Sequence, residues 1–89
     1  MLLSISMSSQ FKEDLKKVKK QNKDLSQLKE VINLIANNTE LDIKYRNHKL
    51  LGSYVNNLEL HIQPDWLLIY QIVENELYLV RTGSHAELF

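Results

Sequence analysis

The chain has 89 residues, 44% of them hydrophobic and 25% charged, with eleven basic and eleven acidic side chains and a formal net charge of zero. Those values exclude a disordered chain and leave room for one modest core, so residues 1–89 are expected to form a single domain. The absence of cysteine excludes a disulfide framework, a thiolate metal site and thiol catalysis.

Leu2-Leu-Ser-Ile-Ser6 is short, partly β-branched and followed by a serine pair, and it reads as a first strand. Ser8 or Ser9 can cap a helix in which Phe11, Leu15 and Val18 recur at helical spacing, with Glu13 and Asp14 in its first turns, where the dipole favours anions. Beside that stripe Lys12, Lys16, Lys19 and Lys23 form a basic ridge. Asn22 and Asp24 interrupt the pattern, and Asp24 caps a second helix whose Leu25, Leu28, Val31, Ile32 and Ile35 make a wide apolar face. Asn37-Asn38-Thr39 ends it, so the two helices form an αα-hairpin.

Residues 38–52 lack periodicity and read as a long polar loop carrying Lys44, Arg46, His48 and Lys49. After Gly52 the period changes to two. Tyr54, Leu58, Leu60 and Ile62 fall on one side of a strand, with Val55, Asn57, Glu59 and His61 on the other, so His61 points away from the more apolar side. Pro64-Asp65 turns the chain into Trp66–Val73, which is apolar on both faces, and Glu74-Asn75 leads into a last strand ended by Gly83. The expected fold class is α+β: an N-terminal strand, an αα-hairpin and a three-stranded antiparallel meander packed on the helices, with the other sheet face left for function.

All three histidines, His48, His61 and His85, fall in the second half of the chain with Asp65 and Arg81. Groups that titrate near neutrality, combined with a carboxylate and a guanidinium, suit general acid–base chemistry on a phosphodiester. Ten of the eleven Lys and Arg residues precede Gly52, which makes Arg81 the one cation of the strand half and a candidate for the phosphate. A plainer reading exists for each residue. His61 is also consistent with a solvated strand face, Asp65 with a turn cap, Arg81 with pairing to Glu59 or Glu76, and Trp66 and Tyr70 with the core. Three histidines and an aspartate also leave open a small zinc module, although their spacing lacks the short paired intervals of structural zinc sites.

The segments His48-Lys-Leu-Leu-Gly-Ser-Tyr54, His61-Ile-Gln-Pro-Asp-Trp-Leu-Leu-Ile-Tyr70 and Arg81-Thr-Gly-Ser-His-Ala-Glu-Leu-Phe89 resemble the YafQ branch of the RelE/ParE superfamily of bacterial toxins. The resemblance covers nearly the whole chain and implies a RelE-like fold. It also implies a ribosome-dependent mRNA endonuclease of a type II toxin–antitoxin system that uses the 2′-hydroxyl beside the scissile phosphate as nucleophile. Carried over by position, it places the active site on His48, His61, Asp65, Trp66, His85 and Phe89, with Arg81 and Tyr70 nearby. His85 is expected to be the acid, and His48 and His61 to share base and phosphate-positioning duties. Asp65 is expected to act as base or to orient a histidine. Trp66, Phe89, Lys49, Lys16 and Lys19 are the expected substrate contacts, with no metal and no cofactor. The implied partners are mRNA, the ribosome and a cognate antitoxin that wraps an acidic segment around the toxin, which is otherwise monomeric and enters a higher-order complex with it. One departure stands out: relatives commonly carry an arginine three residues before the second histidine, where this chain has Leu58. The alternatives are a ParE-like toxin without nuclease activity and a catalytically weakened antitoxin-binding protein.

No apolar run approaches the roughly 20 residues of a membrane span. The opening Met-Leu-Leu-Ser-Ile-Ser-Met lacks the basic n-region and length of a signal peptide, so the expectation is a cytoplasmic protein with no membrane partner.

Overall fold

A computed structural model of the chain describes residues 2–49 and 57–89. It contains β1 (Ser4–Met7), α1 (Ser9–Lys20), α2 (Leu25–Ala36), a 3-10 turn (Ile43–Tyr45), β2 (His48–Lys49), β3 (Leu58–Gln63), β4 (Trp66–Val73), β5 (Glu76–Gly83) and α3 (His85–Leu88). The expected strand positions Tyr54 and Val55 lie outside the described residues.

Both helix starts follow from their caps. The Ser8 hydroxyl accepts from the Phe11 amide at 2.9 Å and donates to the Val80 carbonyl at 2.7 Å, so one side chain starts α1 and ties it to β5. Asp24 accepts from the Ser26 amide at 2.9 Å, and between the helices Asn22 takes a left-handed φ of 58°. Glu13 and Asp14 lie in the second turn of α1 rather than the first, and Asp14 has a different task from dipole compensation.

The five strands form one mixed sheet in the order β1-β5-β4-β3-β2, with β1 parallel to β5 and the other pairs antiparallel. The meander therefore gains an edge strand on each side. One of these, His48–Lys49, falls where the sequence predicts loop: two residues of ladder are too short to leave a periodic signal. Phe11, Val18, Leu28, Val31 and Ile35 of the helices bury against Leu60, Trp66, Leu68, Tyr70, Leu77 and Leu79 of the sheet. Each such fully buried large side chain contributes roughly 1.5–3 kcal/mol. On the opposite face Leu67 and Ile69 form a smaller cluster with Leu88 and Val80.

A bulge sets which side chains reach that second face. Ile69 pairs with Arg81 but Tyr70 pairs with Leu79, so Val80 is an extra residue in β5. Without it Arg81 would follow Leu77 and Leu79 into the helical layer; with it Arg81 shares the face of Ile69. No helix among the described residues is long and apolar enough to cross a membrane.

Candidate active site

The sheet register assembles the histidine face. Glu59 pairs with His48 on one side and Ile69 on the other, and His61 pairs with Leu67, so both rows project opposite Leu58 and Leu60. His48 and His61 ring centroids lie 6.2 Å apart, those of His61 and His85 5.7 Å, and those of His85 and Phe89 6.4 Å. The three histidines thus form one file that ends on an exposed aromatic ring.

Two carboxylates organise the file. Glu59 Oε1 lies 3.2 Å from His48 Nε2 and 3.3 Å from His61 Nε2, and its side chain is only 6% exposed. His48 Nδ1 sits 2.7 Å from the Arg46 carbonyl, which can only accept, so Nδ1 carries a proton. Nε2 is then the nitrogen turned to Glu59 Oε1, where the carboxylate can stabilise a proton arriving on the ring. His61 donates to the same oxygen through Nε2, and its Nδ1 is buried without a hydrogen-bond partner. Glu59 is the site residue that sequence reasoning misses. Its place two residues before His61 puts it on the right face, but the sequence suggests it only as a partner for Arg81.

Asp65, in the turn after β3, accepts from both His85 Nδ1 at 2.7 Å and the His85 amide at 2.9 Å. These bonds, the backbone one first, hold the Asp65 carboxyl below its usual range. With Nδ1 committed to Asp65, His85 turns Nε2 to any substrate. The platform beneath His85 is α3, begun by a capping box in which the Ser84 hydroxyl accepts from the Glu87 amide at 3.2 Å and the Glu87 carboxylate accepts from the Ser84 amide at 2.9 Å. The bond from the Ser84 backbone is the main reason the Glu87 carboxyl is also held low. Gly83 precedes this turn with φ 156°, and a Cβ there would come within 3.0 Å of Glu87 Oε1.

The remaining expected residues divide. Phe89 is 61% exposed beside His85. Trp66 belongs to the core: it is 0% exposed, and its indole N–H donates to Thr82 Oγ1 at 3.0 Å. The register turns its ring toward the helices, so of the two readings open in the sequence the core one fits its burial. Tyr70 is core as well. Its hydroxyl donates to Asn47 at 2.7 Å, next to His48, and burial raises its pKa to about 12. By register Arg81 belongs to the row of Ile69 and Glu59. Ile69 stands between it and Glu59, and its guanidinium donates to Asp14 from Nε at 2.8 Å and Nη2 at 3.1 Å. Asp14, 2% exposed, also accepts from the Thr82 amide at 3.1 Å and so serves the edge of β5 beyond the end of β1. Lys49 pairs with Leu58 and leaves the sheet on the helix side, while Lys16 and Lys19 flank an apolar groove between α1 and α2. The Leu58 departure is placed too. That side chain packs against the helical core, so it subtracts no cation from the histidine face.

Among the described residues, one set of three donors lies close enough to share a metal ion: His48, Glu59 and His61, with ligand atoms all within 4.8 Å of one another. Two imidazoles and a carboxylate suit zinc or copper. This set differs from the three histidines and aspartate considered from the sequence, with Glu59 in the third place and His85 and Asp65 outside it.

The family model for a bacterial toxin of type II toxin–antitoxin systems, YafQ, matches residues 3–89. The chain is 41% identical over 86 residues to the mRNA interferase toxin YafQ of Escherichia coli K12, covering 96% of this chain and 94% of that protein. It superposes on the toxin of the E. coli DinJ–YafQ toxin–antitoxin complex with a TM-score of 0.91 and 38% identity, covering 100% of this chain and 99% of that one. It superposes on a metal-bound toxin from Helicobacter pylori with a TM-score of 0.92 and 44% identity, covering 99% and 100%.

Proposed function

The chain belongs to the YafQ family of bacterial type II toxin–antitoxin toxins, and on that premise we propose that its histidine face is an endoribonuclease site cutting messenger RNA on the ribosome. The observation that carries this reading is the file of three imidazoles held by two carboxylates on one sheet face. Cleavage by an internal 2′-hydroxyl needs a proton acceptor for that hydroxyl, a proton donor for the departing 5′-oxygen and positive charge for the crowded phosphorane. The new bond joins the 2′-oxygen to phosphorus, the bond to the 5′-oxygen breaks, and one product ends in a 2′,3′-cyclic phosphate.

His85, oriented through Nδ1 by Asp65, is the acid, delivering a proton from Nε2 to the leaving oxygen. His48, with Nδ1 committed to the Arg46 carbonyl, takes the 2′-hydroxyl proton on Nε2, where the Glu59 carboxylate shared with His61 stabilises the imidazolium that forms, and that charge faces the phosphate. Arg81 adds positive charge from across Ile69, with Asp14 sharing its guanidinium. Phe89 offers its exposed ring to a base. Lys49, Lys16 and Lys19 contact ribosomal RNA or an acidic antitoxin segment away from the chemistry. The antitoxin partner is supported by the E. coli complex, in which the relative is bound to DinJ.

The test is a primer-extension map of mRNA on translating ribosomes with the wild-type protein and the His85→Ala variant. Cuts made by the first and absent with the second support the assignment; equal cutting by both removes His85 from the mechanism. A metal ion on His48, Glu59 and His61 would occupy the nitrogens that the proton chemistry needs. EDTA is therefore expected to leave cleavage intact, and dependence on added metal would overturn the metal-free mechanism.

A further inference from the structure

A second concavity adjoins the histidine file. A cavity of about 510 Å³ opens between the start of α2, the 3-10 turn and the end of β3, with His61 in its wall. The volume falls within the usual range for a small-molecule site. His61 is also the central residue of the file, so the cavity and the reaction centre share a residue.

The lining is chemically divided. Lys44 and Arg46 supply positive charge on one side, while Gln27, Glu30 and Gln63 supply amides and a carboxylate on the other. The Gln63 amide donates to Gln27 Oε1 at 2.8 Å, which holds the two side chains together and leaves further donor and acceptor positions open. Arg46 adopts a left-handed φ of 49°, a conformation costly for a non-glycine residue, and its carbonyl is the one that fixes His48. The backbone turn that aims Arg46 is therefore the turn that orients a histidine of the file.

We propose that this cavity is a nucleotide subsite for the residue of the RNA next to the scissile phosphate, selective for a base that carries an exocyclic amine. Arg46 and Lys44 hold the flanking phosphate, and Glu30 accepts the amine. Gln27 and Gln63 bond the remaining base edge, as single-stranded RNA is read when its bases are splayed out. Uracil, which has no exocyclic amine, leaves Glu30 facing a carbonyl and is disfavoured. The inference rests on the endonuclease reading for its biological meaning, but nucleotide binding can be measured without cleavage.

Titration of the ¹⁵N-labelled protein with adenosine, cytidine and uridine 5′-monophosphates supplies that measurement. Adenosine and cytidine monophosphates should shift the amides of Gln27, Glu30, Lys44, Arg46 and Gln63, uridine monophosphate should not, and Glu30→Ala should remove the difference. On ribosomes, Glu30→Ala should reduce discrimination against uracil at the neighbouring position by about tenfold, chiefly by slowing cleavage beside amine-bearing bases. Shifts confined to residues outside this cavity, equal shifts for all three nucleotides, or an unchanged cleavage spectrum in Glu30→Ala would overturn the subsite. Selective binding by a wild-type protein that cuts no mRNA would instead remove the endonuclease reading and leave the subsite standing.

Discussion

The two carboxylates of the histidine file work in opposite surroundings. Glu59 is 6% exposed in the middle of β3 and serves two imidazoles at once, whereas Asp65 is 68% exposed in a turn and serves His85 alone. A side chain buried in the middle of a strand cannot move to suit a substrate, so the Glu59 unit is the fixed half. An exposed carboxylate beside a four-residue helix can yield, so the Asp65–His85 unit is the adjustable half. The contrast suits the two proton tasks, because the 2′-hydroxyl must be met in one place while the leaving 5′-oxygen moves away as its bond breaks.

The contrast breaks most completely at His85. His85→Ala should lower cleavage by about 1000-fold, the range expected for a positioned acid, with thermal stability near that of the wild type because the ring is half-exposed. Loss of folding together with activity would make His85 a structural residue. Glu59→Gln comes next, with about a 100-fold loss of activity and, because the buried oxygen that His48 and His61 share is replaced by an amide, a stability loss of about 1–3 kcal/mol. Denaturant unfolding and single-turnover cleavage measure the two effects. If both are unchanged, the buried carboxylate does not hold the file.

These residues differ in how legible they are in the sequence. The helical half is readable because its caps and apolar stripes are local. Ser8, Asp24, Phe11 and Leu28 do what their spacing announces. The period-two alternation around His61 also announces its face, and the file on the face opposite the helices follows from it. Arg81 and Trp66 are less tractable. The bulge at Val80 changes the phase of β5 after the point where alternation can be counted. Asp14 lies 67 positions from Arg81, and only the docking of α1 on β5 brings the two together. Trp66 opens a strand apolar on both faces, which offers no period from which to choose a side. Glu59 is visible but lacks a partner until β2, too short to detect, brings His48 beside it.

Asp65 supplies a smaller effect with a pH signature. Its carboxyl titrates below its ordinary 3.8 because it accepts two bonds from His85. A group lowered in the folded state contributes stability above its unfolded value, and that contribution disappears as pH falls through the folded value. The His85 amide resonance should therefore move on acidification with a midpoint below 3.8. A midpoint at or above 3.8 would dissolve the link. Asp65→Asn should cost about tenfold in cleavage, far less than a buried triad aspartate, because solvent already competes for the exposed imidazole.

The smallest effect on chemistry belongs to residues that touch neither carboxylate unit. Lys16 and Lys19 rim a groove floored by Phe11, Leu15 and Leu28, on the helical layer rather than on the histidine face. Reversing both to glutamate changes the field over that layer by four charges while leaving the file's hydrogen bonds untouched. Every phosphate that is no longer neutralised should reduce the slope of log affinity against log salt by a little under 1. The double variant should therefore bind ribosomes more weakly at low salt and converge on the wild type at high salt, with an unchanged single-turnover rate for the bound fraction. A changed rate would mean that the basic ridge reaches the reaction centre, and an unchanged salt slope would leave it a solvated face.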